Sequence, residues 1–416
     1  CNVTELLLIL RQKKGLSPTD RLEQLLGKEA VFVNYANDPQ LYLSKIRLIE
    51  GDISEVGVGI SNDDLEYIYE RTNIIVHAAA DVRFDESLKE SIQTNVRGTQ
   101  EMLRIAERCR KLEIFTYIST AFSHCVLGVI EEKFYEPPLD PSVLIKVSEK
   151  EDDVDNFELL CKKIIEPWPN TYAFTKSLSE EIVRRYKSKL PVAIIRPSIT
   201  NNRDEDNVFN CTTDDNPVSW RETQHQLEAW KDRIPFDKSL WITTYNTTRF
   251  KLVADILSIF YHVLPALFFD GILKLRGQKP QVLKLYRKVH RFSAVLRFFT
   301  NNEWCFRTGR MRRVLDAMAS EDQQFFPCDA KAIQWDYFLD HQIKGLRQYL
   351  MRDPWSTLEK SLKRHRMRTF MHWCFIGVLY TGILYVVVKI AHAYGFIDFQ
   401  GLNENSVEEC LAEEVV

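Results

Sequence analysis

At 416 residues the chain is long enough for two or three domains and a sizeable hydrophobic core. Its formal net charge of −3, with no basic stripe interleaved with aromatics, argues against a nucleic-acid partner. The nine cysteines are scattered, with no Cys-x-x-Cys pair and an odd total, so neither a zinc site nor a disulfide framework is indicated; no metal is expected, and the compartment is a reducing one.

From the N-terminus onward, short apolar runs alternate with helical patterns. The runs are Glu5–Leu10, Lys45–Ile49, Asn73–His77 and Glu113–Ile118, followed downstream by Pro191–Ile195. Between them lies the helical pattern Leu88–Cys109, with apolar residues at Ile92, Val96, Met102, Leu103 and Ile105. This order predicts an α/β fold, a doubly wound parallel sheet of Rossmann type. Such sheets bind ligands at the carboxyl ends of their strands. Those ends read Gly51-Asp52-Ile53, His77-Ala78-Ala79-Ala80, Ser119-Thr120-Ala121 and Arg196-Pro197-Ser198, and each is small, polar or both.

The stretch Thr171-Tyr172-Ala173-Phe174-Thr175-Lys176 carries the chemistry. Residues four apart share one helical face, so the Tyr172 phenol and the Lys176 ammonium can address one bound molecule. A free Tyr titrates near pH 10, and a cation within a few ångströms lowers that value and makes Tyr172 a usable general acid. The bare spacing is common on helices; its place behind a series of strand–helix repeats gives it weight.

Further along, the polar run Asn201–Asn207 reads as a loop. The apolar stretch Leu252–Leu273 is interrupted by Asp255, His262, Pro265 and Asp270, and charges at those depths are costly in lipid; it is expected to form buried helices of a C-terminal domain, with room for one face on the membrane, and the competing reading is a membrane span. His262 and tryptophans such as Trp304, Trp335 and Trp355 are expected to be packing residues. From Thr369 to Val388 the chain has twenty residues without Asp, Glu, Lys or Arg, roughly 30 Å of helix and enough to cross a bilayer. Lys363, Arg364, Arg366 and Arg368 precede it, and Asp398, Glu404, Glu408, Glu409, Glu413 and Glu414 follow. The positive-inside bias then places the body in the cytosol; the competing reading is a buried core helix. Three Asn-x-Thr triplets, at Asn2, Asn210 and Asn246, are expected to be unmodified in a cytosolic body. The expected divisions are 1–225 for the Rossmann-type domain, 226–362 for a mainly helical domain, 369–390 for a transmembrane helix and 391–416 for a short acidic tail.

In this order the motifs resemble the extended short-chain dehydrogenase/reductases. More narrowly, Lys14-Gly15 with Arg21-Leu22, His77 to Phe84, Asn95-Val96-Arg97-Gly98-Thr99, Tyr117 to Ser123 and Asn170 to Lys176 look like the alcohol-forming fatty acyl-CoA reductases. So do His262 to Ala266 with Asp270, Phe298-Phe299 before Asn302-Glu303-Trp304, and Trp335 to Phe338, which resemble that family's helical C-terminal domain.

The resemblance implies a role for each element. Asp52 and Ile53 would flank an adenine, Ala78, Ala79 and Ala80 would let backbone lie against the cofactor, and Asn95 would sit in the helix beside the site. Thr120, or in second place Ser119, would hydrogen-bond the substrate carbonyl, which Tyr172 would protonate. Lys176 would hold the nicotinamide ribose and depress the Tyr172 pKa, and Pro197 and Ser198 would line the nicotinamide pocket. Arg11, Lys13 and Lys14 fall where the family places ribose contacts; cations there suit a 2′-phosphate, which favours NADPH. The implied reaction is reduction of a long-chain fatty acyl-CoA to a primary alcohol through an enzyme-held aldehyde, at an endoplasmic reticulum or peroxisomal membrane.

Two features of the family have no counterpart in the sequence. No Gly-x-x-Gly-x-x-Gly loop precedes the first strand, and the stretch that covers the acyl channel does not follow Arg196-Pro197-Ser198-Ile199. The chain is therefore expected to be incomplete at both places, with weakened dinucleotide affinity. The alternatives are a catalytically impaired or non-catalytic membrane protein of the same family, and an extended-family sugar or sterol dehydrogenase using the same Tyr and Lys.

Overall fold

The computed structural model describes residues 3–26, 43–150, 163–197, 207–239, 241–242, 248 and 250–394. Among them the strands are β1 (Leu6–Leu10), β2 (Ile46–Glu50), β3 (Ile74–His77), β4 (Ile114–Ile118), β5 (Val129–Ile130), β6 (Val192–Arg196), β7 (Val208–Asn210) and β8 (Cys305–Phe306). The five strands expected from the apolar runs are all present, none displaced by more than one residue at either end. Every pairing is parallel, as expected, but the ladder is in pieces: β1 pairs β2, with Leu8 opposite Leu48, and a four-stranded sheet runs β3–β4–β6–β7. A third, short pair joins β5 to β8.

Helices cover these strands because their apolar residues recur at helical spacing. α1 (Pro18–Leu26) follows β1, and α2 (Asn62–Arg71) begins at Ser61, whose hydroxyl accepts from the Asp64 amide and relieves one unpaired donor of the first turn. α3 is one continuous helix in three segments, Leu88–Ser91, a π-turn at Ile92–Arg97, and Gly98–Arg108. α4 (Pro141–Lys150) and α5 (Thr171–Tyr186) complete the set. Leu88, Ile92, Val96 and Leu103 of α3, Phe115 of β4, Phe174 and Leu178 of α5 and Ile194 of β6 are fully buried in one core. Each such side chain contributes roughly 1.5–3 kcal/mol relative to exposure. One contact permits only glycine: a Cβ on Gly98 would lie 2.6 Å from the main-chain oxygen and from Cγ1 of Ile53.

The chain divides into two compact units, Cys1–Pro217 with Thr248–Ile333, and Val218–Thr247 with Gln334–Val416. They do not follow the linear division at residue 225. The reason lies in β8 and in α9 (Gly309–Ala317, numbered in order below): both are tied to earlier segments of the chain, β8 by its ladder to β5 and α9 by the buried Glu132 carboxylate, which accepts from the Met311 amide at 3.0 Å.

α6 (Trp220–Lys231) belongs to the second unit and carries a capping box, Ser219 with Glu222. In the first unit, α7 (Lys251–Leu275) and α8 (Val282–Asn301) form a hairpin ahead of α9 (Gly309–Ala317) and α10 (Ser320–Phe325). The expectation that Leu252–Leu273 is buried is corrected here. Within α7 only Ala266 is buried, and Leu252, Leu264, Leu267, Phe268 and Leu275 are exposed, because α7 packs along α8 and leaves its other faces open. His262 is half-buried, stacked on Tyr286 and 3.0 Å from His290, in the packing role expected of it.

In the second unit, α11 (Trp335–Gly345) precedes α12 (Leu358–Ala393). The Arg347 guanidinium is fully buried there, donating to the Pro235 carbonyl at 2.5 Å and to Thr357 at 2.7 Å. The basic first turns of α12 pack on this unit through Arg364 with Asp237 and His365 with Asp232. The apolar run that follows is exposed throughout its most hydrophobic window, so it is not a buried core helix. Of its interior polar groups, His372 accepts a hydrogen bond from the Trp241 indole at 3.0 Å and Thr381 donates to the Gly377 carbonyl at 2.8 Å. Two helices, Lys251–Leu275 and the helix containing α12, are long and apolar enough to cross a membrane. The acidic tail, Asn201–Asp206 and the Asn2 and Asn246 triplets lie outside the described residues.

Candidate active site

α5 aims the Tyr and the Lys. Asn170 caps it, its side-chain oxygen accepting from the Ala173 amide at 2.8 Å, and this fixes the first turn so that Tyr172 and Lys176 leave the same face. Lys176 is 2 % exposed; its Nζ donates to the Ile118 carbonyl at 2.7 Å, at the carboxyl end of β4, and lies 4.6 Å from the Tyr117 ring centroid. Burial pushes this ammonium down to about 8, against the pull of the Glu180 charge. Beneath it His77 is pushed down to about 3 by burial and by the Lys176 charge, so it is neutral at physiological pH and pairs with the Thr99 hydroxyl at 3.0 Å.

Tyr172 is half-buried. Burial raises its pKa, and its hydrogen bond with Thr120 pulls the other way. The expected depression by Lys176 is thus corrected. The ammonium is drawn down to the Ile118 carbonyl and stands 6.0 Å from the Tyr172 ring, so loss of solvation dominates. A raised value keeps the phenol protonated at neutrality, the form a proton donor needs.

Thr120 and Ser119 separate sharply. The Thr120 hydroxyl caps the short turn Ala121–His124 and faces Tyr172. Ser119 instead donates to Glu180 at 2.6 Å, inside a buried network. There Glu180 receives Arg196 in a bidentate pair, Nε at 3.0 Å and Nη2 at 2.7 Å, together with the Ser123 hydroxyl at 2.8 Å and His124 at 2.9 Å. Burial works to raise the Glu180 pKa, but Arg196 and His124 outweigh it and hold the carboxylate far below its ordinary value. This hub was missed in the sequence, although Glu180 stands four residues after Lys176 on the same helical face.

Asn95 is buried in the π-turn of α3 and organises the carboxyl end of β3. Its amide accepts from the Asp81 main-chain nitrogen at 2.8 Å, donates to the Asp81 carbonyl at 3.1 Å and reaches Thr175 of α5 at 3.0 Å. Between β3 and that clamp, Ala78 and Ala79 are exposed and Ala80 half-buried, which leaves a floor without bulky side chains. At the end of β2, Asp52 accepts from Arg11 at 2.9 Å and from the Ser54 amide, so two of the expected cofactor residues pair with each other. Ile53 packs on α3 at Gly98. Lys13, Lys14 and Pro197 are exposed, and Ser198 lies outside the described residues.

A ring of aromatics was also missed as a unit. Phe84 lies 5.7 Å from both Tyr172 and Phe299, and Phe122 packs on Phe299 at 4.9 Å and on Trp304 at 5.3 Å. The Trp304 indole donates to the Cys125 carbonyl at 2.9 Å. Residues nearly 200 positions apart thus build one apolar wall beside the phenol; only the tertiary structure joins them.

The residues suit a nicotinamide dinucleotide. A buried ammonium with three donors, one of them used by Ile118, stands beside a side-chain-free floor at the ends of parallel strands. A male sterility protein model for an NAD-binding domain matches residues 1–216, and a second male sterility protein model matches 261–353. The fatty acyl-CoA reductase wat of Drosophila melanogaster is 31% identical over 454 residues, 93% of this chain and 87% of that protein. Human fatty acyl-CoA reductase 1 is 27% identical over 426 residues, 87% of this chain and 82% of its own. Among solved structures, the reductase domain of a nonribosomal peptide synthetase from Mycobacterium tuberculosis covers 82% of this chain and 86% of that one, at 17% identity and a TM-score of 0.37. With one family model over more than half its length and the Drosophila relative matched across nearly all of it, the chain belongs to the fatty acyl-CoA reductase family.

Proposed function

We propose that the chain reduces a long-chain fatty acyl-CoA to the primary alcohol with NADPH, in two rounds through an aldehyde kept in the site. The observation that carries the reading is the pairing of Tyr172 and Thr120 with the aromatic wall of Phe84, Phe122, Phe299 and Trp304. A polar pair for one carbonyl oxygen beside an extended apolar surface fits an acyl chain and disfavours a sugar, whose hydroxyls would need partners along that wall.

Lys176, Asp52, the Ala78–Ala80 floor and the cations Lys13 and Lys14 would hold the dinucleotide, which supplies hydride when bound. The chain's own groups do the rest. Tyr172 and Thr120 donate hydrogen bonds to the carbonyl oxygen as negative charge grows on it, a stabilisation largest in the transition state. In the first round the oxyanion collapses to the aldehyde as the C–S bond breaks and CoA leaves as its thiolate; in the second the Tyr172 hydroxyl gives its proton to the oxygen of the alcohol, and the phenolate recovers one from solvent. Lys176 supports the anionic phenolate through its charge while it keeps its own place on the Ile118 carbonyl. Lys13 and Lys14 favour the 2′-phosphate of NADPH over the free hydroxyl of NADH.

The apolar run in α12 anchors the body to a membrane, with the basic first turns on the cytosolic side, at the endoplasmic reticulum or the peroxisome. The deciding experiment is product analysis of the purified enzyme with palmitoyl-CoA and either NADPH or NADH. Fatty alcohol formed at the expense of NADPH supports the reading; free aldehyde as the sole product, or turnover of a nucleotide sugar or a sterol instead, overturns it.

A further inference from the structure

Apart from Phe299, which belongs to the aromatic wall, the α7–α8 hairpin presents apolar side chains that the described residues leave exposed. Phe268 is 66% exposed, Leu275 90% and Phe292 64%. On α7, which has a π-turn at Ile259–Val263, Val253, Ile256, Phe260, Leu264 and Phe268 are all exposed. On α8, Leu285, Val289, Phe292, Leu296 and Phe299 recur at intervals of four, three, four and three. The helices are held together by His262 on Tyr286 and His290 and by Asp270, whose carboxylate accepts from the amides of Gln281, Val282 and Leu283 at 2.8–3.0 Å.

From the last turn of α7 through α8 the charge has one sign, the acidic residues Asp255 and Asp270 lying earlier on α7. From Gly271 to Asn302 there is no Asp or Glu, whereas Lys274, Arg276, Lys279, Lys284, Arg287, Lys288, Arg291 and Arg297 are all exposed. Lys284, Lys288 and Arg291 border one side of the α8 stripe, the arrangement of a helix that lies in a headgroup layer with its apolar face down. A full crossing is disfavoured for α7. Only 14 residues separate Asp255 from Asp270, about 21 Å of helix against a hydrocarbon core of roughly 30 Å. Asp270 is also fixed in its charged form at the hairpin turn, its pKa lowered by the Leu283, Val282 and Gln281 amides.

We propose that the α7–α8 hairpin is an in-plane membrane-docking element that seats on an anionic bilayer surface. Its exposed apolar side chains enter the headgroup and acyl boundary, and its cations meet lipid phosphates and carboxylates. The α8 stripe ends at Phe299, on the aromatic wall beside Tyr172, so the docked surface and the site are continuous apolar territory within one compact unit. The docking itself does not depend on which carbonyl the site reduces.

The test uses the full chain reconstituted into phosphatidylcholine vesicles with and without phosphatidylserine, each doped with a phospholipid bearing a diazirine on its acyl chain. Photolabelled residues are mapped by mass spectrometry, with α12 as the internal reference. The expected result is label on Phe268 and Phe292 in the anionic vesicles. That label should fall about tenfold when Lys284→Glu, Lys288→Glu and Arg291→Glu are combined, as loss of several cations near an anionic surface requires, while label on α12 is unchanged. Two labelling results would overturn the proposal: a hairpin free of label while α12 is labelled, or hairpin label indifferent to both phosphatidylserine and the triple substitution. Shielding of Lys279 from a membrane-impermeant amine reagent that still reaches Lys360 would do so as well, because it would place the hairpin turn on the far side.

Discussion

The Lys176 ammonium donates to the main-chain carbonyl of Ile118 at 2.7 Å, so the cation of the Tyr-x-x-x-Lys pair is seated on the end of β4 rather than on the phenol. It stands 6.0 Å from the Tyr172 ring. The phenol and the ammonium are thereby separate groups with separate surroundings, each open to its own test.

Tyr172→Phe removes one oxygen and leaves the Phe84 contact intact. Loss of a general acid typically costs 10²–10⁴-fold, so fatty alcohol formation should fall at least about a hundredfold with an unchanged circular dichroism spectrum. Alcohol production within tenfold of the parent would remove Tyr172 from the role given to it.

The position of Lys176 sets a pH limit. Its pKa in the folded chain is about 8, below the usual lysine value, so the ammonium is charged at pH 7 and loses its proton as the pH rises through 8. We expect kcat/KM, which reports the free enzyme, to fall above about pH 8, and Lys176→Arg to shift that limb upward. For stability the sign is opposite. Between the folded and unfolded values the unfolded chain binds more protons, so this residue's contribution to folding stability increases with pH from about 8 to about 10.5. A kcat/KM profile flat to pH 10 would contradict the assignment.

Glu180→Gln tests the buried hub. The substitution leaves the fully buried Arg196 guanidinium without its counter-charge, and breaking a buried pair this way costs about 3–5 kcal/mol. Denaturant unfolding should show a loss of that size. A change below 1 kcal/mol would mean that the network is as weak as a surface ion pair.

Gly98→Ala tests the close approach of α3 to the loop after β2. Its Cβ would collide with the Ile53 main-chain oxygen, which cannot rotate away. We expect destabilisation of about 1–3 kcal/mol and a raised KM for NADPH, read by thermal unfolding and steady-state kinetics; an unchanged KM would free Ile53 from the adenine role.

Topology is checked by protease protection on intact microsomes or peroxisomes. A tag ahead of α1 should be digested and one after Val416 protected. Digestion of both would mean that the apolar run in α12 does not cross, and glycosylation at Asn210 would invert the orientation.

The strands, the Tyr and Lys, and the uncharged run of α12 were legible in the sequence because each is a local pattern. An apolar run bounded by polar residues, a spacing of four and twenty residues without charge need no knowledge of neighbours. What only the tertiary structure decided depends on what lies opposite. Ser119 and Thr120 are adjacent and chemically alike, yet the carboxylate of Glu180 claims one hydroxyl and leaves the other to Tyr172. Burial, not the expected cation, governs the Tyr172 pKa, and Arg11 is drawn to Asp52. The same holds for Leu252–Leu273, which is apolar enough to be buried but, among the described residues, packs chiefly along α8. Composition shows that a surface is apolar; the three-dimensional arrangement of neighbours determines whether protein covers it.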